Sequence, residues 1–438
     1  MNKRRSKWRI KAIILSIFLI LPFSFTGAEA KTFKVASYNV ENLFDLTKDG
    51  TEYIEYIPNN YYGWNKGIVD IKVANIAEVI KDMGADVVAL QEIESRKALF
   101  FLQDKLRDYN IDYAYVAIAD SKATPVKCGV ISKFPIIKKE EIQVDKEFAR
   151  NILKITLNID GNSLILFVNH WKSKQGPESL RVSYAKALRR EINRLKEGMD
   201  FILAGDFNAN YNEYETFLNS SKLNDTAGKT GINHILKTVK NTEMVNEKIL
   251  TEQPGNEYLY NLWLEINKQR RWSYNFRRYK DGPDNIIVPK ELYDQNGISY
   301  VDNSFDKFDR DYLFRKNAVY RWQRAKRGRG KHLGRGYSDH LPVFASFSTE
   351  PFHFKNSDSV FNNTSPSRSK KTNLPKGLLD LNTATENELQ SINGIGPVLS
   401  EKIIAGRPYK SVEDLLTVKG IGPKRLRRFH RYFVIGKE

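Results

Sequence analysis

Polar residues stand at one end of several apolar, strand-like runs of this chain, and they restrict its fold more than any other feature. Runs rich in Val, Ile and Leu form buried strands, so the polar residue that ends each run emerges at the edge of the core. Divalent cations and phosphate groups are bound by the carboxylates, amides and imidazoles that such an edge brings together. In chain order these residues are Asn39, Glu92, His170, Asp206, Asn208, Asp284, Asp339 and His340.

These residue types suit the hydrolysis of a phosphodiester. That reaction needs a cation to neutralise the growing negative charge and a group that activates water. Glu92, helped by Asp339 and Asn39, is predicted to bind Mg²⁺, which prefers one or two carboxylates plus water and substrate oxygen. Mn²⁺ and Ca²⁺ are the alternatives. His170 and His340 are predicted to form the acid–base pair, because an imidazole titrates near neutral pH.

The same residues, in this order and ending in Ser-Asp-His (338–340) before an apolar strand, resemble the endonuclease/exonuclease/phosphatase superfamily, whose fold is deoxyribonuclease I-like. The resemblance covers residues 32–348. It implies an α+β fold, a four-layer α/β-sandwich. It further implies that Asp206 and Asn208 orient water or phosphate, with a second metal site as an alternative, and that Asp284 orients one histidine.

A partner for the ring of His170 is also implied by the resemblance. It should lie between Tyr113 and Lys127, where Asp120 and Tyr115 are both candidates. A partner at one ring nitrogen selects the tautomer and so decides which nitrogen exchanges the proton. The sequence does not separate the two candidates.

A catalytic domain, a linker and a second small domain are predicted to follow one another. Residues 31–348 alternate β-type runs with amphipathic helices and form the catalytic domain. Within it, residues 237–335 are a basic, aromatic-rich insert, which suits either stacking on bases beside phosphate or a solvated loop system. Residues 349–376 are rich in Asn, Ser, Thr, Pro and Lys and predict a flexible linker, whose few phenylalanines are too sparse for a core.

Residues 377–438 contain an internal repeat that predicts a small all-α domain. Each copy places Gly-Ile-Gly-Pro between two short helical patterns. The repeat resembles the tandem helix-hairpin-helix module of competence-type DNA receptors, and a helix start after glycines offers free N–H groups to a phosphate. A structural or protein-binding hairpin is the alternative. The residues predicted to bind DNA are Gly394, Ile395, Gly396, Gly420, Ile421, Gly422, Lys424 and Arg425.

Residues 1–30 have the composition of a secretory signal peptide. A basic stretch from Lys3 to Lys11 precedes an apolar stretch, 12–25, which is short for a membrane span of about 20 residues. The small-x-small pattern at 28–30 fits a cleavage site, and an uncleaved anchor is the alternative. The predicted location is periplasmic or extracellular, with no stable membrane insertion after cleavage and no obligate protein partner.

The net charge and the cysteine count restrict which partners and which kinds of metal site the chain can have. The formal net charge is +18, which favours a polyanionic partner. Cys128 is the only cysteine, so cysteine-based metal sites and intramolecular disulfides are excluded.

Taken together, these features and the resemblance predict an exported, metal-dependent nuclease that cuts DNA, with RNA as a further substrate. The alternatives are a phospholipid or sphingolipid phosphodiesterase of the same fold and a non-catalytic DNA-uptake receptor.

Overall fold

The computed structural model describes residues 31–354 and 379–435, apart from 147–148, 219, 221, 277–278, 393–394, 423–424 and 427–428. The predicted signal peptide and most of the predicted linker therefore lie outside the described residues. The described chain divides into two units, one before and one after the gap at 355–378. Within these ranges no helix is long and apolar enough to cross a membrane.

The first unit contains nineteen strands and five regular α-helices among its described residues, besides a short turn at Ala325–Gly328 whose central residues are left-handed. The strands are β1 (Thr32–Leu43), β2 (Val87–Ile93), β3 (Tyr115–Ile118), β4 (Lys127–Ser132), β5 (Ile136–Ile142), β6 (Ile152–Ile159), β7 (Asn162–His170), β8 (Phe201–Asp206), β9 (Val239–Lys240), β10 (Glu243–Met244), β11 (Tyr260–Asn261), β12 (Tyr274–Phe276), β13 (Tyr279–Asp281), β14 (Asp284–Val288), β15 (Ser299–Tyr300), β16 (Asp306–Lys307), β17 (Phe314–Arg315), β18 (Ala318–Val319) and β19 (Val343–Ser348). The helices are α1 (Lys66–Met83), α2 (Arg96–Asp108), α3 (Glu178–Ile192), α4 (Glu213–Thr216) and α5 (Glu247–Glu252).

Two sheets pack against each other and are covered by helices on their outer faces. One sheet has the order β15-β19-β1-β2-β4-β3, with β16 also on β19, and the other has the order β11-β14-β8-β7-β6-β5. Alternate residues of a strand face opposite sides. In β1, Val35 lies in the core between the sheets, whereas Ala36 packs with the residues of α1 and α2. Helix α3 covers the second sheet. The predicted four-layer α/β-sandwich is confirmed.

Local signals set the ends of α1. The side chain of Asn65 accepts the N–H of Ile68 and so caps the start of the helix. Gly84 ends the helix in the left-handed conformation that glycine adopts without steric cost.

The segment 237–335 is more than an insert of loops. It supplies β11 and β14 to one sheet and β15 and β16 to the other, and its aromatic residues Trp263, Tyr293 and Tyr300 are buried in the core between the sheets. Aromatic rings contribute large buried apolar areas, so these residues stabilise the sandwich. Phe352, which the sequence assigns to the linker, is also buried, with its ring centre 4.5 Å from that of Tyr293.

The second unit is a small helical domain. It contains helices α6 (Glu386–Ser391) and α7 (Pro397–Ala405), 3₁₀ turns at Val412–Thr417 and His430–Tyr432, and one short parallel pair, β20 (Leu379–Asp380) with β21 (Phe433–Val434). Two capping boxes are present, one at Thr385 with Glu388 and one at Ser411 with Asp414. The described part of this unit is therefore all-α apart from that single strand pair.

Candidate active site

The polar strand ends converge because of how the central strands are paired. The carboxyl ends of parallel strands lie at the same edge of a sheet, and β1 is parallel to β2 as β7 is to β8. His170 is therefore directly opposite Asp206. Strand β14 runs antiparallel to β8, so its first residue, Asp284, is also opposite Asp206. The predicted residues of both sheets meet at this one edge.

Asn39 connects the two sheets through its side-chain amide. Its Nδ2 donates to Oε1 of Glu92 at 3.2 Å and to Oδ2 of Asp206 at 3.0 Å. Its Oδ1 accepts the N–H of Glu41 at 3.0 Å. In this arrangement the amide of Asn39 positions two carboxylates, and one of the two lone pairs of its oxygen accepts a backbone N–H. Its role as a metal ligand stays a prediction.

Irregular backbone re-aims the side chains at the strand ends. Glu41, Glu92 and Asn208 all have left-handed backbone angles, with φ of 53°, 66° and 48°. Non-glycine residues rarely adopt this conformation, which is costly and concentrates at functional sites. The pairing of β1 with β2 is also irregular between Asn39 and Leu43. The strands therefore end in bends that turn polar side chains toward a common edge.

His340 is held by a buried carboxylate. Its Nδ1 lies 2.8 Å from Oδ2 of Asp284, and that oxygen also accepts a hydrogen bond from Oγ of Ser273 at 2.5 Å. Burial alone would lower the pKa of His340, but the charge and hydrogen bond of Asp284, with the charges of Asp206 and Asp339, raise it well above the usual value. The imidazole is therefore protonated at neutral pH.

His170 has the opposite electrostatic state. Its Nε2 lies 3.8 Å from Oε1 of Glu92 and 3.7 Å from Oδ2 of Asp206. Burial lowers its pKa well below the usual value, and the charges of Arg150 and His340 lower it further. The imidazole is therefore neutral at neutral pH, and the two histidines are electrostatically distinct.

Neither predicted partner of His170 reaches its ring. Nδ1 of His170 is buried without a hydrogen-bond partner among the described residues. Asp120 instead pairs with Lys139 at 2.6 Å and with Arg96 at 3.5 Å, and Tyr115 is exposed. The prediction of an Asp120 or Tyr115 partner is wrong, because surface cations bind the one and solvent surrounds the other.

Asp206 and Asn208 lie next to this pair of histidines. Oδ1 of Asp206 accepts the N–H of Asn208 at 2.8 Å, and Nδ2 of Asn208 donates to the carbonyl of Trp171 at 3.1 Å. Burial raises the pKa of Asp206 to about 6, although the charge of His340 opposes this. Asp206 is thus a carboxyl group that exchanges a proton close to neutral pH.

Asp339 is connected to a buried acid by an arginine. Nη2 of Arg321 lies 3.3 Å from Oδ2 of Asp339, and its Nε donates to Oε1 of Glu41 at 2.9 Å. Burial, with the charge of Asp339, raises the pKa of Glu41 to about 7, although Arg321 opposes this. Ser338 fixes the segment, because its hydroxyl donates to the carbonyl of Asn39 and accepts the N–H of His340.

Several residues of this site were missed by sequence reasoning. Glu41, Arg321 and Ser273 belong to no recognised pattern, and they join the site only through tertiary contacts. Arg150 donates from Nη1 to the carbonyls of His170 and Trp171, both at 3.4 Å. Its guanidinium is a cation next to the histidine–carboxylate cluster. No local signal distinguishes Arg150 from the other arginines of the chain.

The site has donors that fit a hard divalent cation. The side chains of Glu92 and Asp339 are 21% and 18% exposed, so they face the solvent at the rim. Burial, followed by the charge of Asp339, raises the pKa of Glu92, as expected for two nearby carboxylates without a cation. Single ligand atoms of Asp206, Asp284 and His340 also lie within 4.8 Å of one another. Oδ1 of Asp284 is buried without a partner among the described residues. Carboxylate oxygens are the ligands that Mg²⁺, Mn²⁺ and Ca²⁺ prefer.

The predicted DNA-binding residues of the second unit have different environments. Ile395 and Ile421 are buried in its core, and their N–H groups donate to the carbonyls of Ile392 and Val418, so both residues stabilise the hairpins. Their part in DNA binding stays a prediction. The N–H groups of Gly396 and Gly422 have no partner in the described part of this unit. Nη1 of Arg425 donates to the carbonyl of Gly420. Gly394 and Lys424 lie outside the described residues.

Known proteins resemble different parts of the chain. A helix-hairpin-helix motif matches residues 375–434. "Deoxyribonuclease" of Thioalkalivibrio sp. (strain K90mix) is 35% identical over 150 residues, which are 34% of this chain and 35% of that protein. "ComE operon protein 1" of Bacillus subtilis (strain 168) is 47% identical over 51 residues, which are 11% of this chain and 25% of that protein. The chain thus spans about a third of the length of the first relative and a quarter of the length of the second.

Solved structures show a more distant likeness. Humanized D. rerio TDP2 has a TM-score of 0.43 at 15% identity, over 72% of this chain and 98% of that chain. ANGEL2, a 2′,3′-cyclic phosphatase, has a TM-score of 0.46 at 15% identity, over 74% of this chain and 97% of that chain. The family is assigned from sequence, because the Endonuclease/Exonuclease/phosphatase family model matches residues 34–349, which are most of the chain. The chain therefore belongs to the endonuclease/exonuclease/phosphatase family.

Proposed function

We propose that this protein is an exported, divalent-metal-dependent nuclease that hydrolyses phosphodiester bonds of DNA. The observation that carries the proposal is the pair of histidines at one carboxylate-rich edge. Asp284, 2.8 Å from Nδ1 of His340, raises the pKa of that ring well above its usual value, whereas burial lowers the pKa of His170 well below it. Groups with opposite protonation states in one site are what proton donation and proton acceptance require. The deoxyribonuclease relative supports DNA as the substrate.

Each residue has a proposed role in the hydrolysis. Glu92 and Asp339 would hold a divalent cation, which would supply Lewis-acid stabilisation of the charge on the phosphate. His170 accepts a proton from the attacking water, which Asp206 and Asn208 orient. His340 donates its proton to the departing oxygen, and Asp284 keeps its ring oriented. Asn39 holds the two carboxylates of Glu92 and Asp206 apart at a fixed spacing. Arg150 contributes positive charge beside the phosphate.

The second unit is proposed to hold DNA without base preference. Gly396 directly precedes α7, and its N–H, which has no partner in the described part of this unit, lies at the positive end of that helix, where an anion is attracted. Contacts to the phosphate backbone carry no sequence information. The similarity of this region to ComE operon protein 1 supports the same role. The basic leader-like sequence at 1–30 supports export, to the periplasm or the medium.

One assay separates this function from its rivals. The chain from Lys31 onward is incubated with circular plasmid, linear duplex, RNA and sphingomyelin vesicles, each with Mg²⁺, Mn²⁺ or Ca²⁺ and with excess chelator. Cleavage of both plasmid and linear DNA, abolished by chelator, is expected. Cleavage of the lipid alone would show that the lipid phosphodiesterase is the correct reading. Binding of DNA without cleavage under any metal would show that the chain is a non-catalytic receptor.

A further inference from the structure

A strongly basic hairpin projects from the active site of the first unit. Residues 320–337, called the basic hairpin below, contain seven Lys or Arg and no acidic residue. Its two arms are joined by backbone hydrogen bonds. In each bond, at 2.7–3.0 Å, a backbone N–H of one arm donates to a backbone carbonyl of the other. The donor and acceptor pairs are Tyr337 and Tyr320, Gln323 and Arg335, Leu333 and Gln323, and Ala325 and Lys331.

The base of the basic hairpin is fixed to the catalytic residues. Arg321 contacts Asp339 and Glu41, as described above. The backbone carbonyls of Tyr337 and Gly336 accept hydrogen bonds from the side chains of Lys72 and Asn75, at 2.8 and 2.9 Å, both on α1. The start of the basic hairpin is therefore held in a defined position next to the proposed metal ligand Asp339.

The arms of the basic hairpin are also anchored near the tip. Nη1 of Arg324 lies 2.7 Å from Oε1 of Glu55, and His332 is hydrogen-bonded to the carbonyl of the same residue at 2.9 Å. A Cβ on Gly330 would lie 2.9 Å from that of Ala325, so the two arms are close-packed at this point. The side chains beyond these anchors are presented on a fixed backbone.

The cations of the tip have no acidic partners. Five side chains are exposed, and none forms an ion pair within the described ranges, in contrast to Arg321 and Arg324. Four of them, Lys326, Arg327, Arg329 and Lys331, are at the tip, and the fifth, Arg335, is on the second arm opposite Gln323. Beside them Tyr61 is 61% exposed, with Lys331 5.7 Å from its ring centre. Unpaired, clustered cations repel one another, and a bound polyanion would relieve that repulsion. This surface therefore attracts polyanions.

We propose that the basic hairpin is the surface on which the first unit holds the phosphate backbone of DNA next to the scissile bond. The inference deepens the proposed function and rests on it, because DNA is taken as the substrate. Lys326 stands five positions after Arg321, and an extended arm of that length spans about 16 Å. About five phosphates of one DNA strand occupy that axial distance. Because the backbone that carries these cations is already anchored on both arms, binding does not have to order that backbone.

The test neutralises the tip without disturbing its backbone. Lys326 and Arg327 have left-handed backbone angles, which Asn tolerates well, so the variant is Lys326→Asn, Arg327→Asn and Arg329→Gln. The matched control, Lys186→Gln, Arg190→Gln and Lys196→Gln, removes the same charge from positions on and after α3, which covers the other sheet. Both triples are made in the full chain, with and without Glu92→Ala, and unfolding temperatures verify that they fold.

Binding to a duplex is measured in the Glu92→Ala background across a salt series. The tip variant is expected to bind roughly 10-fold more weakly at physiological salt. The slope of log affinity against log salt should become shallower by about 0.9 for each phosphate that the variant no longer neutralises, hence by up to about 2.7. The control triple should match its parent. An unchanged affinity and slope in the tip variant would overturn the inference, as would an equal weakening in the control.

Two further measurements identify what failed if the result is negative. Bis(p-nitrophenyl) phosphate has no flanking phosphates, so the tip variant with Glu92 intact should hydrolyse it at the parent rate while its kcat/KM on DNA falls. If the unmodified chain cut neither substrate, the proposed function would fail, but the binding series would still decide on the basic hairpin. Vesicles of anionic phospholipid are the last probe. Weaker vesicle binding with unchanged DNA binding would assign the surface to a membrane and overturn the inference.

Discussion

The two units of this chain use different kinds of sequence information to build their proposed functions. In the first unit, Asn39 and His340 stand near opposite ends of the domain sequence, yet Asn39 donates to Asp206 and His340 lies 4.0 Å from it. In the second, each Gly-Ile-Gly-Pro hairpin is complete within a few consecutive residues. One site depends on long-range strand pairing, and the other depends on local backbone geometry.

This difference predicts how each unit responds to damage. Hydrolysis requires several side chains at fixed spacing, so the removal of one should abolish most of the activity. Binding through backbone N–H groups and surface cations is distributed over many groups, so its weakening should be graded. The predictions below test this contrast, beginning with the largest expected effect.

The contrast between the two units would be contradicted most clearly if the proposed metal ligand Glu92 were not needed for activity. Glu92→Ala, or excess chelator, should lower turnover of plasmid DNA on the order of 10³-fold or more, because a bound cation contributes several kcal/mol to the transition state. The side chain lies at the rim, so thermal unfolding should change little. Asp104→Ala, an exposed acid on α2, is the control. Undiminished cleavage in excess chelator would contradict the metal-dependent mechanism.

The two histidines provide the next test. His170→Ala and His340→Ala should each lower turnover on the order of 10²–10⁴-fold, the usual contribution of proton transfer. Affinity for DNA, measured by a filter or anisotropy assay, should be nearly unchanged. His353→Ala, an exposed histidine of the same unit, should behave as the parent. Near-parental turnover in either active-site variant would show that its role is wrongly assigned.

Removal of the second unit tests the other half of the comparison. A chain that ends at Phe354 keeps Phe352, which packs against Tyr293, and should fold and cut DNA at low salt. Its apparent affinity should fall by about 10²-fold, with about 10⁴ as the ceiling, because tethering makes the second binding event intramolecular. The salt dependence of binding should become shallower. Identical affinities with and without the unit would favour the protein-binding alternative for the hairpins.

The smallest expected effect concerns the stability of the first unit. Asp200, just before β8, accepts the N–H of Ile298, just before β15, at 2.7 Å and so connects the two sheets. Burial raises its pKa to about 7, with small additions from Asp294 and Glu291, against an ordinary value of about 3.9. The folded state therefore holds a proton that the unfolded state releases between about pH 4 and pH 7. The free energy of unfolding should fall as the pH rises through that window.

Asp200→Asn removes this pH dependence. An amide oxygen still accepts the N–H of Ile298 but does not ionise, so the variant should be more stable than the parent by about 1–3 kcal/mol at pH 8 and no different at pH 4. Urea unfolding at the two pH values measures both quantities, with Asp104→Asn as the exposed control. An equal change at both pH values would mean that packing of the amide, and not ionisation, is responsible.

The sequence by itself determined the list of catalytic candidates and the location of the second unit. Strand ends that follow apolar runs, such as Glu92 and Asp206, are visible without a structure, because a buried strand must place its terminal polar residue at the surface of the core. The sequence also determined both capping boxes and the two hairpins, since capping depends on residues only three positions apart.

Only the tertiary structure decided how those candidates differ from one another. Nothing local distinguishes His170 from His340, and their opposite pKa shifts arise because Asp284 reaches one ring while the other is buried beside Arg150. Arg321 likewise enters the site only because the strand order brings it to Asp339. The physical reason is that charge interactions depend on distances of a few ångströms between residues far apart in the chain. Those distances are set by strand pairing and packing, which no short segment of sequence contains.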